Sequence, residues 1–280
     1  MSVQFSPVID AQPRRIPAFS ALQFIDLVAL GVYGSPLAVL DDFRVQELPF
    51  SAHPHAGFAA VTYVFEDSAS GVRSRTSTGA DLIVGAGGIV WTQAGSGVIH
   101  EEVPAERGRE LHGLQLFVNL SSKNKLSAPR VRSVESNDVP DWSSHAGDRV
   151  RVVVGSFDGV SSPLVPDEPF TMLDVILRRQ ISHSVEEAHN TVVYVLDGSL
   201  SVRAGSEQER VSRSQALALS GGGARVAFEA LRPAHFLILS GAEIAEPVVE
   251  EGPFIMNDRS QIEAAIARYH SGAMGGLSPS

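Results

Sequence analysis

The sequence predicts an all-β protein of two jelly-roll barrels in tandem, followed by a short C-terminal helix. Short segments rich in β-branched and aromatic residues recur at regular spacing, and glycine-containing turns separate them. Helical periodicity is nearly absent before the C-terminus. The 280 residues suffice for two domains of ordinary size, each with its own core.

The composition narrows the class of protein. Hydrophobic residues make up 44% and charged residues 19%, the balance of a folded soluble protein. A net charge of -10 without any lysine or arginine cluster argues against direct nucleic-acid binding. The absence of cysteine excludes disulfides and thiolate metal sites. No apolar run approaches the length of a membrane span, and no signal-peptide pattern is present, so we expect a cytoplasmic protein.

Strands joined by tight turns are the predicted elements of the first half. The strand candidates are residues 24–32, 60–65, 72–76 and 114–118, with a further extended piece after 41–43. The glycines within 85–88 and 95–97 are predicted to form turns and strand corners. They do not form a phosphate-binding loop, because neither a lysine nor a helical pattern follows them.

A break over residues 121–148 divides the chain into two predicted domains, 1–130 and 131–280. Beyond it the strand candidates are residues 150–154, 171–177, 191–196, 200–203, 215–219, 224–228 and 234–239. The two halves also resemble each other. Residues 61–67 align with 192–198, Tyr63 over Tyr194, at an offset of 194 - 63 = 131 residues, about half the chain. We therefore predict a duplicated barrel.

The pattern changes to a helix near the C-terminus. Ser260 and Glu263 match a capping box, which predicts a helix start. Ile262, Ile266 and Tyr269 recur at helical spacing and predict an apolar stripe that packs on a barrel.

Two triplets, residues 53–55 and 100–102, are the candidates for chemistry. In a strand the residues at i and i+2 face the same side, so each triplet directs two metal-binding groups to one place. These groups are His53, His55, His100 and Glu102. Three imidazoles and one carboxylate suit Fe(II), Mn(II), Ni(II), Cu(II) or Zn(II). A single histidine could equally be a surface or core residue, but two such pairs together favour a metal site.

The second half does not repeat this ligand set. At the same offset the ligand positions are occupied by Ser184, Glu186, Leu231 and Pro233. His183 and His189 lie near the first of these positions, and we interpret them as surface residues. The sequence therefore predicts one metal ion in the N-terminal barrel and none in the C-terminal one.

Several segments in combination resemble the pirin family of bicupins, whose two barrels are cupin domains. They are residues 53–63 (HPHAGFAAVTY), 91–102 (WTQAGSGVIHEE), 112–120 (HGLQLFVNL) and 246–257 (EPVVEEGPFIMN) with the helix that follows. The resemblance implies a single metal, usually iron, in the N-terminal barrel, bound by the same four residues. Glu101 would then point away from the metal.

The resemblance leaves two hypotheses about function. Several pirins oxidise the flavonol quercetin with dioxygen, which implies a metal-dependent dioxygenase acting on a flavonol-like or other enolic phenol. Glu102 would then be a catalytic residue, alternating between metal ligand and general base. Other pirins are regulatory, which implies instead an iron-binding protein that acts on a protein partner without turnover. A metal-free structural cupin is a third interpretation, and the sequence leaves the identity of the metal open.

Two positions depart from the family pattern. Ala56 stands where pirins usually have arginine, and Ala59 where they usually have glutamate. Because both lie near the ligand triplets, we expect them to affect the substrate or the surroundings of the ligands.

Overall fold

A computed structural model describes residues 3–16, 18–47, 50–220 and 222–277. It confirms an all-β protein with two cupin domains and one short C-terminal α-helix. The chain divides into two compact units. The first barrel comprises residues 13–22, 37–136 and 244–280, and the second barrel comprises residues 1–12, 23–36 and 137–243. None of the helices in the described part of the chain is long and apolar enough to span a membrane.

The strands up to residue 134 follow one another closely. In chain order they are β1 (Gln4–Phe5), β2 (Ile9–Asp10), β3 (Gln12–Pro13), β4 (Phe19–Phe24), β5 (Leu37–Val45), β6 (His53–His55), β7 (Phe58–Val64), β8 (Val72–Thr76), β9 (Asp81–Val84), β10 (Ile89–Gln93), β11 (Val98–Pro104), β12 (Leu111–Asn119) and β13 (Arg130–Val134).

The later strands include two of unusual length. They are β14 (Asp141–Ser143), β15 (Arg149–Val154), β16 (Ser156–Phe157), β17 (Val160–Ser161), β18 (Phe170–Leu177), β19 (Gln180–Val185), β20 (His189–Ala204), β21 (Glu207–Ser212), β22 (Gln215–Ser220), β23 (Ala224–Ala242), β24 (Val249–Glu251) and β25 (Phe254–Met256). The helix α1 covers Arg259–His270, and short 3₁₀ helices cover Leu27–Gly34 and Ser136–Asp138.

The first barrel is formed by two antiparallel sheets. One has seven strands in the order β13-β10-β7-β12-β5-β4-β3, and the other has four in the order β6-β11-β8-β9. Every residue of β7 is buried, in agreement with its predicted place in the core. One buried apolar cluster of this barrel contains Phe43, Val64, Val72 and Leu111.

The second barrel is formed around a ten-stranded sheet. The predicted strands 191–196 and 200–203 are one strand, β20, and 224–228 and 234–239 are likewise one strand, β23. The turn signal at Gly198 marks instead a β-bulge, where the register between β20 and β23 shifts. Gly198 has a φ of +79°, and a Cβ there would lie 2.0 Å from the Pro233 carbonyl oxygen. A local turn signal alone could not distinguish the bulge from a strand end.

The predicted strand over 24–32 is wrong. The strand β4 ends at Phe24, and the 3₁₀ helix over Leu27–Gly34 follows. Asp26 caps that helix, because its Oδ1 accepts the backbone N–H groups of Val28 and Ala29 at 3.1 and 3.4 Å. A continuous apolar run has no periodicity that separates a buried strand from a helix.

The helix α1 exists as predicted, but its cap differs from the prediction. Asp258 is the capping residue, and its Oδ1 accepts the Gln261 N–H at 2.9 Å. The Ser260 hydroxyl donates to the same oxygen of Asp258 at 2.6 Å. Ile262 is buried as expected, whereas Tyr269 remains 38% exposed and does not complete the apolar stripe.

The C-terminal segment belongs to the first barrel, so the observed units differ from the predicted ranges 1–130 and 131–280. The apolar side of α1 is the physical reason. Its Ile262 and Ala265 form one buried cluster with Ala56, Phe254 and Met256. The backbone contacts agree with this packing, since Ala56 and Phe254 form a parallel β-bridge.

A buried lysine connects the same segment to the first barrel through hydrogen bonds. The ammonium of Lys125 is fully buried and donates to the carbonyl oxygens of Gly57 at 3.0 Å and Ile255 at 3.1 Å. It also donates to Asn119 Oδ1 at 2.5 Å. Three donors thus meet three acceptors, which offsets the cost of burying the charge. Gly57 must be glycine, because a Cβ there would lie 1.8 Å from the Ile255 carbonyl oxygen.

We therefore predict that Lys125→Met destabilises the first barrel by about 3 kcal/mol or more, since three buried acceptors lose their donor. The free energy of unfolding measured with urea checks this. Lys123→Met is the matched control, because Lys123 is exposed; its unfolding free energy should stay within about 0.5 kcal/mol of the parent value. Equal effects of the two substitutions would contradict the assigned role.

Candidate metal centre

The antiparallel pairing of β6 with β11 builds the candidate site. His53 lies directly opposite His100, and His55 lies opposite Val98. Because side chains alternate along each strand, His53, His55 and His100 turn to one side of the pair. The two predicted triplets therefore meet in the structure.

The three imidazoles form a compact group. One ring nitrogen from each lies within 4.8 Å of the others, the only such cluster of three His, Cys, Asp or Glu side chains among the described residues. The Nε2 atoms of His53 and His100 are 3.2 Å apart. The Nδ1 atom of His53 lies 2.9 Å from the Ser51 carbonyl oxygen and donates to it. When His53 is neutral, its Nε2 therefore carries a free lone pair directed at the cluster.

This spacing fits a metal ion. With metal–nitrogen bonds of about 2.1 Å, two ligand nitrogens lie about 3.0 Å apart at a right angle and about 3.4 Å apart at the tetrahedral angle. The observed separation of 3.2 Å falls between these values. The donor set of neutral nitrogens also suits a divalent transition metal.

The electrostatics of the cluster favour the ligand form of the histidines. Burial, and the proximity of His53, lower the pKa of His100 to about 3. Burial also lowers the pKa of His55 well below its ordinary value, and the neighbouring His100 and His53 lower it further. Both rings are therefore neutral at physiological pH, and no proton has to leave them before a cation binds.

Glu102 lies on the same side of β11 as His100 and lines the same cavity. It is outside the group of atoms that lie within 4.8 Å of one another. Its Oε2 accepts a hydrogen bond from the Thr62 hydroxyl at 2.5 Å. Burial raises the pKa of the Glu102 carboxyl, and the Thr62 hydrogen bond offsets part of that rise. The structure thus assembles the three histidines directly and places the fourth predicted ligand beside them.

Glu101 points away from the cluster, as the strand alternation predicts. Its carboxylate is bound by Arg75, with an Nη2–Oε2 distance of 2.7 Å, and the two side chains are 16% and 12% exposed. Arg75 lies opposite Glu101 in the pairing of β11 with β8. The two adjacent glutamates therefore have different surroundings, one in an ion pair and one in the cavity.

The cluster opens into a largely apolar cavity of about 220 Å³ inside the first barrel. Its walls include aromatic and aliphatic side chains from several strands: Phe19, Leu22, Phe43, Phe50, Leu111 and Phe117. Phe50 is 52% exposed and lies 5.9 Å from Phe19 and 6.1 Å from His53 between ring centroids. Such a cavity can bind a flat aromatic molecule next to the histidines.

The same cavity is also lined by polar side chains that the sequence analysis did not single out. Thr62, Gln115 and Asp41 all contribute to its wall. Thr62 and Gln115 each lie between apolar neighbours in the sequence, whereas Asp41 is followed by Asp42. The register between strands brings the three together. The signal available in the sequence was an isolated polar residue within a buried strand for Thr62 and Gln115, and none separated Asp41 from Asp42.

The interpretation of His183 and His189 as surface residues is wrong. His189 is only 8% exposed, His183 is partly buried, and both line a polar cavity of about 290 Å³ in the second barrel. The ring of His183 stacks on Phe157, and His189 Nε2 lies 3.7 Å from Glu186 Oε2. Among the described residues the second barrel nevertheless has no group of three metal-binding side chains within 4.8 Å.

The two departures from the family pattern are both in the core. Ala56 is fully buried against the cluster formed with the C-terminal segment, and Ala59 is fully buried within β7. Neither residue lines the cavity of the first barrel. Their small side chains thus affect the packing behind the ligands rather than the cavity wall.

Comparison with known proteins agrees with this architecture. The family model Pirin matches residues 11–118, and Pirin C-terminal cupin domain matches residues 172–275. A Pseudomonas aeruginosa protein, provisionally named a quercetin 2,3-dioxygenase, is 33% identical over 251 residues, 85% of this chain and 86% of the relative.

Two solved structures share the fold. The quercetin 2,3-dioxygenase from Acinetobacter baumannii has a TM-score of 0.86 and 26% identity, over 99% of this chain and all of that one. A bacterial pirin from Escherichia coli, in complex with nickel(II), has a TM-score of 0.64 and 18% identity, over 86% of this chain and 100% of that one.

Two cupin domains in one chain define a bicupin. Within that class, the chain belongs to the pirin family.

We predict that His53→Ala and His100→Ala each lower metal affinity at least about tenfold while the protein stays folded, because each removes one of three converging nitrogens. Metal content by elemental analysis, with circular dichroism as the test of folding, checks this. Full metal occupancy in both variants would contradict the assignment of the site.

The second barrel supplies the matched control. The double variant His183→Ala/His189→Ala removes two histidines from a cavity in which, among the described residues, no three metal-binding side chains converge. We expect one metal per chain in both the parent and this variant. Two metals per chain, falling to one in the double variant, would show that the second barrel also binds a metal.

Proposed function

We propose that the protein is a metal-dependent dioxygenase of the quercetin 2,3-dioxygenase type, which oxidises a flavonol-like substrate with O2. The observation that carries the proposal is a largely apolar cavity with aromatic walls that opens on three converging histidines and a partly buried carboxyl group. The names of the Pseudomonas aeruginosa relative and the Acinetobacter baumannii structure support the same chemistry.

In this proposal His53, His55, His100 and Glu102 hold one divalent metal, with Fe(II) the expected ion and Mn(II), Ni(II), Cu(II) or Zn(II) compatible with the same donors. The metal, when bound, supplies Lewis-acid and electron-transfer chemistry. A dioxygenase transfers both atoms of O2 to its products, so O2 is the oxidant and no further reductant is required.

The protein's own residues bind and orient the substrate. Phe19, Phe43 and Phe117 line the cavity and offer ring faces and edges to a flat aromatic molecule. Their apolar surface also keeps water away from the reacting carbon atoms, which limits hydrolytic side reactions. The substrate's enolic hydroxyl is placed towards the histidines and Glu102, because these groups can bind a metal and accept the hydroxyl proton.

Glu102 has the chemistry of a proton acceptor in this cavity. It is partly buried, desolvation raises its pKa above the ordinary value, and it lines the same cavity as the histidines. A carboxylate with a raised pKa accepts a proton from a weakly acidic hydroxyl more readily than an exposed one does. The Thr62 hydroxyl holds the carboxylate in place through its hydrogen bond.

Oxygen uptake tests the proposal. Protein loaded separately with each candidate metal is mixed with a panel of flavonols, and O2 consumption is followed together with loss of the flavonol absorbance. We expect turnover with at least one metal and none after chelation of the metal. A fully loaded protein that consumes no O2 with any flavonol would contradict the proposed activity.

We further predict that Glu102→Gln lowers kcat about a hundredfold or more, because glutamine cannot accept the substrate proton. Glu101→Gln is the control, since its side chain faces Arg75 on the other side of β11. We expect it to change kcat less than about threefold. A larger loss from Glu101→Gln than from Glu102→Gln would contradict the assignment.

A further inference from the structure

One wall of the first-barrel cavity carries a carboxyl group in apolar surroundings. Alternate residues of β5 face the cavity, and they are Val39, Asp41, Phe43 and Val45. Three of the four are apolar, as expected for the inner face of a barrel strand. Asp41 is therefore a polar residue at a position where packing alone favours an apolar one.

The residue opposite Asp41 cannot satisfy it. In the pairing of β5 with β12, Asp41 lies opposite Gln115. The Gln115 amide is directed at β7: one N–H of Nε2 donates to the Val61 carbonyl oxygen at 3.1 Å, and Oε1 lies 3.1 Å from the Thr62 hydroxyl oxygen. Neither amide atom forms a hydrogen bond with Asp41 Oδ1.

Asp41 Oδ1 consequently has no hydrogen-bond partner in the described part of the chain, although the atom is buried. A buried oxygen without a donor costs folding free energy. Burial also raises the pKa of Asp41 to about 6, and the positive charge of Arg14 offsets part of that rise. The carboxyl group is thus mostly ionised at neutral pH, when it is a strong acceptor.

We propose that Asp41 forms a binding subsite for a hydroxyl group on the far ring of the aromatic ligand. The hydroxyl donates to the Asp41 carboxylate, which lines the cavity, and the subsite discriminates polyhydroxylated ligands from those with unsubstituted rings. The inference rests on the proposed function, because it takes a flavonol-like ligand as the occupant of the cavity. The residues proposed to take part in the reaction are thus joined by one, Asp41, that selects the ligand.

Ligand binding is measured by titration calorimetry on zinc-loaded full-length protein, because zinc has no redox chemistry and the ligand survives. The matched probes are quercetin, which carries hydroxyl groups on both outer rings, and 3-hydroxyflavone, which keeps only the enolic hydroxyl. We expect the parent protein to bind quercetin about tenfold more tightly or better. Asp41→Leu should abolish this preference, and Asp41→Asn, which keeps a neutral acceptor, should reduce it.

The matched control is Asp42→Asn. Asp42 lies on the opposite face of β5 and contacts His112 Nε2 at 3.1 Å, a contact that asparagine can retain. This variant should keep the parent's preference for quercetin. Equal affinity of the parent for the two probes, or an undiminished preference in Asp41→Leu, would overturn the proposal.

A measurement without ligand separates this inference from the proposed function. If the cost of burying the unpartnered Oδ1 exceeds the attraction of Asp41 to Arg14, Asp41→Leu should raise Tm by about 2–4 °C. A fall in Tm would show that the carboxylate stabilises the fold, and would overturn the subsite. If the parent binds neither flavonol, the proposed substrate class fails; a raised Tm in Asp41→Leu still supports Asp41 as an acceptor for another hydroxylated ligand.

Discussion

The register between β6 and β11 is the constraint on which the candidate site depends. It places His53 opposite His100, and the two-residue alternation of each strand brings His55 and Glu102 to the same side. A shift by one residue would turn all four side chains away and present Pro54, Ile99 and Glu101 instead. The ion pair between Glu101 and Arg75 holds the opposite face of β11, and so favours the observed register.

Support for this register comes from the C-terminal segment. Ile99, which faces away from the cluster, packs with Ala56 against Phe254, Met256 and the helix α1. The buried ammonium of Lys125 joins the turn at Gly57 to the carbonyl oxygen of Ile255. Residues that lie about half of the chain away in sequence thus support the two ligand strands on the side opposite the histidine cluster. The ligands are therefore positioned by strands and not by a loop.

The sequence alone predicted those features that depend on residues close together in the chain. Strand alternation in the triplets 53–55 and 100–102 predicted which side chains converge, and glycine-separated β-branched segments predicted the fold class. It failed over 24–32, where an apolar run lacks periodicity, and for His183 and His189, whose burial depends on the cavity around them. The polar row of Asp41, Gln115 and Thr62 could not be predicted, because it requires the registers of three strands at once.

X-ray absorption spectroscopy of the metal-loaded parent protein tests the central claim most directly, because it observes the ligands of the ion rather than the consequences of losing them. The account predicts scattering from three imidazole rings together with an oxygen contribution that includes the Glu102 carboxylate. A spectrum with oxygen scattering alone, or with a single imidazole, would contradict the assignment of the metal to the cluster of His53, His55 and His100.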